Sequence, residues 1–119
     1  MGFVYVVSDG SMSKVGMTSN PKSRIGDVSR EVFGVSSGLM VFCAESKSFK
    51  QAERILISAI SEKHESIQCK YKREVFDIGF EDAVSYCDMA VMLANAQAES
   101  NSIRFARSPF YHPKKRRGV

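Results

Sequence analysis

Phe3-Val4-Tyr5-Val6-Val7-Ser8-Asp9-Gly10-Ser11-Met12-Ser13-Lys14-Val15-Gly16-Met17 is the stretch whose reading decides the fold. Residues 3–8 are β-branched and aromatic, the composition of a strand. Asp9-Gly10 then signals a two-residue hairpin loop, because a type I′ turn needs positive φ at both central positions. The return strand is expected from Ser11 to about Met17. In that register Tyr5 faces Lys14, Val6 faces Ser13 and Val4 faces Val15. Val4, Val6 and Val15 share the face that should be buried, and Tyr5 and Lys14 share the other.

Working outward, Asn20-Pro21 reads as a helix start, with Asn20 as N-cap and Pro21 at the first helical position. That helix carries Arg24, Ile25 and Val28 and should end near Gly34. Residues 38–45 make a third strand. Ser48-Phe49-Lys50-Gln51 reads as a capping box opening a long helix, whose apolar positions Ala52, Ile55, Leu56, Ala59 and Ile60 repeat at helical spacing. Lys70 to Ile78 is a short strand or extended segment. Phe80 to about Ala98 is the strongest helical pattern, with Ala83, Val84, Cys87, Val91 and Ala94 on one side and Glu81 and Asp82 at the positive end of its dipole. The order ββαβα(β)α describes an α+β domain with a small, mostly antiparallel three-stranded sheet flanked by helices. Residues 1–99 form that domain, and residues 100–119 read as a basic C-terminal arm in which Pro109 and Pro113 oppose a continuous helix.

Composition narrows the function classes. Among the 119 residues, 44% are hydrophobic and 25% charged, the balance of a globular chain rather than a disordered one. No apolar run approaches the ~20 residues of a membrane span, and the N-terminus lacks the basic and apolar regions of a secretory signal. Cys43, Cys69 and Cys87 are odd in number and widely spaced, which points to reduced thiols in a cytoplasmic protein. His64 and His112 have no partner at zinc-ligand spacing. No Walker loop, GxGxxG or GxSxG is present. The net charge of +4 is unevenly placed: residues 1–99 hold eleven basic and thirteen acidic side chains, a balance of −2, whereas the arm carries +6 and no acid. Arg104, Arg107, Lys114, Lys115, Arg116 and Arg117 therefore suit a polyanionic partner, DNA phosphates first, with Phe105, Phe110 and Tyr111 interleaved for stacking.

Several short motifs follow one another in the order of a known family. Phe3-Val4-Tyr5, Lys14-Val15-Gly16, Arg24 in the first helix, Gln51-Ala52-Glu53-Arg54-Ile55-Leu56 and Arg73-Glu74-Val75-Phe76 together resemble the GIY-YIG nuclease superfamily. Within it, the chain is similar to the phage-type branch related to the meiotically up-regulated gene group. The resemblance covers roughly residues 2–90. Phe3 stands where the first glycine of GIY lies, and Lys14 where the first tyrosine of YIG lies; lysine there is familiar in this branch. The resemblance implies a DNA endonuclease with Tyr5, Lys14, Arg24 and Glu53 as site residues and a divalent metal, Mg²⁺ first, on Glu53. It also implies a phage or mobile-element protein working in the host cytoplasm.

Elementary chemistry gives those residues roles. Phosphodiester hydrolysis needs an activated water, neutralisation of charge at phosphorus and help for the departing oxygen. In the expected register Tyr5 and Lys14 have Cβ atoms about 5 Å apart, and the ammonium would favour the phenolate a general base needs. Lys14 could instead orient the water itself. Arg24, one turn into its helix, can clamp phosphate oxygens. Glu53, at the edge of the apolar stripe, can hold one cation. Taken singly, Tyr5 is an ordinary strand aromatic, Lys14 an edge charge and Glu74 a strand-edge carboxylate. Two other functions suit the same chain: a catalytically inactive nucleic-acid-binding module, or a protein–protein adaptor or inhibitor. With little room for a separate recognition domain, specificity would come from the arm, a homodimer or a protein partner.

Overall fold

The 3–17 stretch does form a hairpin, with a loop two residues longer than expected. In the computed structural model, which describes residues 1–67 and 74–107 and side chains as far as Glu99, β1 spans Gly2–Ser8 and β2 spans Ser13–Thr18. Asp9 to Met12 make the connection. The Asp9 carboxylate accepts the backbone N–H groups of Ser11 and Met12, each at 2.9 Å. Asp9 N–H donates to the Met12 carbonyl at 3.3 Å, and Gly10 takes the positive φ, 105°. A side chain that satisfies two loop N–H groups from within stabilises the wider turn over a type I′ turn. The pairing therefore shifts by two: Tyr5 lies opposite Gly16, Val6 opposite Val15 and Val7 opposite Lys14. A two-residue slip keeps every side chain on its face, so the assignment of faces survives although the partners change.

The sheet has four strands rather than three, in the order β3-β1-β2-β4, with every pair antiparallel. β3 is Met40–Ser46, and β4 is only Val75–Phe76, which joins β2 at Ser13 and Lys14. Its two side chains are fully buried, which anchors so short a strand. One sheet face presents Val4, Val6 and Val15 to α2 (Phe49–Ser61) and α3 (Phe80–Arg107), where Ala52, Leu56, Ile60, Ala83, Cys87, Ala90 and Ala94 complete the main core. Phe49 and Phe80 pack against this core, and Leu56 and Phe76 lie inside it. The other face presents Tyr5 and Val7 to α1 (Pro21–Val28) and to a π-helical turn, Ser29–Phe33. That turn closes on Gly34 at φ 70°, a left-handed helix end.

Two local expectations are corrected. Asn20 does cap α1, accepting Ser23 N–H at 3.4 Å, but Ser48 makes no side-chain cap at α2. Its N–H donates instead to Ser46 Oγ at 3.0 Å, and Gln51 reaches across to Gln97 rather than back to the helix start. The second correction concerns α3, whose backbone stays helical to Arg107, well into the segment read as an arm. Residues 99–107 contain no glycine or proline to stop it. Arg104 and Arg107 therefore lie on helical backbone.

Candidate functional site

Among the described residues, β4 pairs with the first part of β2, at Ser13 and Lys14. Along a strand, successive backbone groups point alternately to either side. Val15 N–H points away from β1 and donates to the Glu74 carbonyl at 3.0 Å. By the same alternation, the Val15 carbonyl and the Met17 N–H also face outward. Lys14 Nζ donates to the first of these at 3.0 Å. The Glu53 carboxylate, from α2, lies near the second, which acts to lower its carboxyl pKa. The charged groups thus gather along the side of β2 that faces away from β1.

Tyr5 reaches the same edge from β1. Gly16, directly opposite, has no side chain, and the ring lies across it: a Cβ at Gly16 would sit 2.7 Å from Tyr5 Cζ and closer still to the hydroxyl. The hydroxyl accepts Arg24 Nε–H at 3.3 Å, which joins α1 to the cluster and leaves the terminal guanidinium nitrogens for other acceptors. Lys14 is 3% exposed, and its ammonium pairs with Glu74 at 3.0 Å. Tyr5, Lys14, Arg24 and Glu53 thus come from β1, β2, α1 and α2 to this one side of β2.

The electrostatics differ from expectation at one point. Lys14 lies opposite Val7 and pairs with Glu74, and the Tyr5 phenol stands above its ordinary value rather than below it. Burial raises that phenol above its ordinary value, Arg24 pulls it back, and the charges of Glu53 and Glu74 add to the rise. Tyr5 is a neutral phenol at neutral pH. Burial also raises the Glu53 carboxyl, and Glu74 pushes the same way, against Lys14 and the Met17 N–H.

Glu74 is the member that residue-type reasoning left out of the site. Its signal was present in Arg73-Glu74-Val75-Phe76, but nothing in one dimension ties it to a lysine sixty residues away. Among the described residues, no three His, Cys, Asp or Glu side chains form a metal cage. One half-buried carboxylate with a second in its field instead suits a cation like Mg²⁺, which keeps most of its waters and takes one or two carboxylates plus substrate oxygens. The side chains of Arg104 and Arg107, and Lys114, Lys115, Arg116 and Arg117 altogether, lie outside what the structure describes. No described helix is long and apolar enough to cross a membrane.

The profile of the T5orf172 domain, a domain associated with nuclease-like phage proteins, matches residues 2–91. Neither curated proteins nor solved structures give a match.

Proposed function

The chain belongs to the T5orf172 domain family, and from that premise we propose that it is a small metal-dependent endonuclease that hydrolyses DNA phosphodiester bonds with a GIY-YIG-like site. What supports this reading is the meeting of a phenol, an ammonium, a guanidinium and a carboxylate from four elements along the outer side of β2. Arg24 holds Tyr5 through Nε and offers its remaining N–H groups to phosphate oxygens. The Tyr5 hydroxyl orients the attacking water, and Arg24 draws it toward the phenolate that would take the water's proton as the O–P bond forms, the departing oxygen being protonated from solvent. Lys14 supplies positive charge in a desolvated place, where it counts most as charge builds on phosphorus. Glu53 would hold Mg²⁺, which when bound supplies further neutralisation of phosphate charge.

The test is cleavage of a 5′-labelled DNA duplex with Mg²⁺ or Mn²⁺. Wild type should cut. Tyr5→Phe and Glu53→Ala should each lose at least about a thousandfold in rate with the fold intact. Full activity in Glu53→Ala rejects the metal role. A second reading is a binding module on the same scaffold that does not cut, in the cytoplasm of a phage host. The net charge of −2 on residues 1–99 and the protonated phenol favour it. It is chosen if DNA is bound and no divalent ion supports cleavage.

A further inference from the structure

We infer that Glu74 is a positioning residue for the phosphodiester reaction, one that acts by fixing the Lys14 ammonium at the edge of β2; the inference rests on the endonuclease reading above.

Glu74 is tied to the same dipeptide at both ends. Its carbonyl accepts Val15 N–H at 3.0 Å, and its carboxylate accepts from Lys14 Nζ at 3.0 Å. Lys14 Nζ in turn donates to the Val15 carbonyl at 3.0 Å, which closes a ring of hydrogen bonds around one strand edge. A lysine held this way loses the rotamer freedom that makes the residue a loose point charge on a surface. The anchor behind Glu74 is firm. Val75 and Phe76 are buried, and Ser13 Oγ donates to the Ile78 carbonyl at 2.8 Å, clamping the segment from its other side.

Stability alone does not account for the arrangement. Lys14 lies opposite Val7, on a fully buried stretch of the sheet, where an apolar side chain would fit without desolvation cost. A buried ion pair is commonly neutral or worse than an apolar replacement. Glu74 also keeps a third of its side chain exposed, and its charge reaches both Tyr5 and Glu53. A carboxylate that pins the lysine while facing the phenol and the other carboxylate belongs to the site, not merely to the sheet.

The experiment compares wild type, Glu74→Gln and Glu74→Asp in Mg²⁺-dependent cleavage of a labelled duplex. Alongside it, the ¹H–¹⁵N correlation of the Lys14 ammonium is followed by NMR in the same samples. Glu74→Gln keeps the shape and loses the charge. It should lower kcat about tenfold or more with KM within about twofold, and displace or erase the lysine signal. Glu74→Asp, which restores the charge, should recover part of both. If Glu74→Gln fails to fold, the aspartate variant carries the comparison alone: a shifted lysine signal with reduced kcat supports the inference, and two wild-type values overturn it. A normal kcat with a lost lysine signal marks a structural ion pair only and overturns it. So does a lowered kcat with an unmoved lysine signal. Wild-type protein that cuts no DNA removes the endonuclease reading and this inference with it, whereas active wild type with an equally fast Glu74→Gln removes this inference alone.

Discussion

A single missing methyl at position 16 lets the Tyr5 hydroxyl reach the outer edge of β2, so Gly16→Ala is the sharpest residue-level probe. Its Cβ would stand 2.7 Å from Tyr5 Cζ, and the ring must move. A displacement on the order of 1 Å in a catalytic group costs about a hundredfold in rate, and overpacking costs about 1–3 kcal/mol. Cleavage kinetics and urea unfolding should show both; an unchanged kcat would remove Tyr5 from the chemistry. Asp9 is the other residue that shapes the hairpin. Backbone N–H groups of Met12 and Ser11 hold its carboxyl below the ordinary value of 3.8. A carboxyl depressed by folding contributes stability above 3.8, and that contribution fades as pH falls through its lower native value. Asp9→Ala should therefore lose stability on the order of 1 kcal/mol or less at neutral pH, discounted because the group is exposed. The gap from wild type should close in strong acid, as read by urea midpoints across pH. Asp9 is also the residue whose effect a local motif misses. Asp-Gly counts as a two-residue turn by dipeptide preference, yet here the aspartate oxygen is an acceptor for the loop itself.

At the scale of elements, α2 and α3 were legible because their apolar residues repeat at helical spacing over several turns, and α1 because Asn20-Pro21 fixes its start. β4 was only partly legible: two residues carry no period, and burial of Val75 and Phe76 makes the strand. The four residues proposed for the site were nameable from ordered motifs, while the partner of Lys14 was not, since antiparallel pairing of β2 with β4 is a tertiary event. Which side of an element a residue faces is directly testable with thiols. Cys87 points from α3 into the core, and burial pushes its thiol up to about 12, whereas Cys43 on β3 is exposed. The thiolate is the reactive form, so at pH 8 roughly one Cys87 in ten thousand is reactive even before access is considered. In a Cys69→Ser background, a thiol reagent at pH 8 should label Cys43 in the native protein and Cys87 only after unfolding. Equal rates for the two would mean that α3 does not pack as described.

Across the whole molecule, charge and chemistry are set apart. Residues 1–99 carry −2, and the proposed site brings Glu53 and Glu74 to the surface that would meet phosphate. A body that repels DNA weakly needs its attraction from elsewhere, and residues 100–119 carry +6 with no acid. Counterion release makes the division measurable. Each phosphate neutralised adds about 0.9 to the slope of log K against log salt. Deleting residues 108–119 removes Lys114, Lys115, Arg116 and Arg117. The slope should fall by up to about 3.6, and affinity should drop most at low salt. At saturating DNA, kcat should stay within about twofold, because Tyr5, Lys14, Arg24, Glu53 and Glu74 all lie in the part retained. Fluorescence anisotropy over a salt series and single-turnover cleavage measure the two quantities separately. A slope that does not change on truncation assigns DNA contact to the domain despite its net charge, and a collapse of kcat places part of the site in the deleted residues.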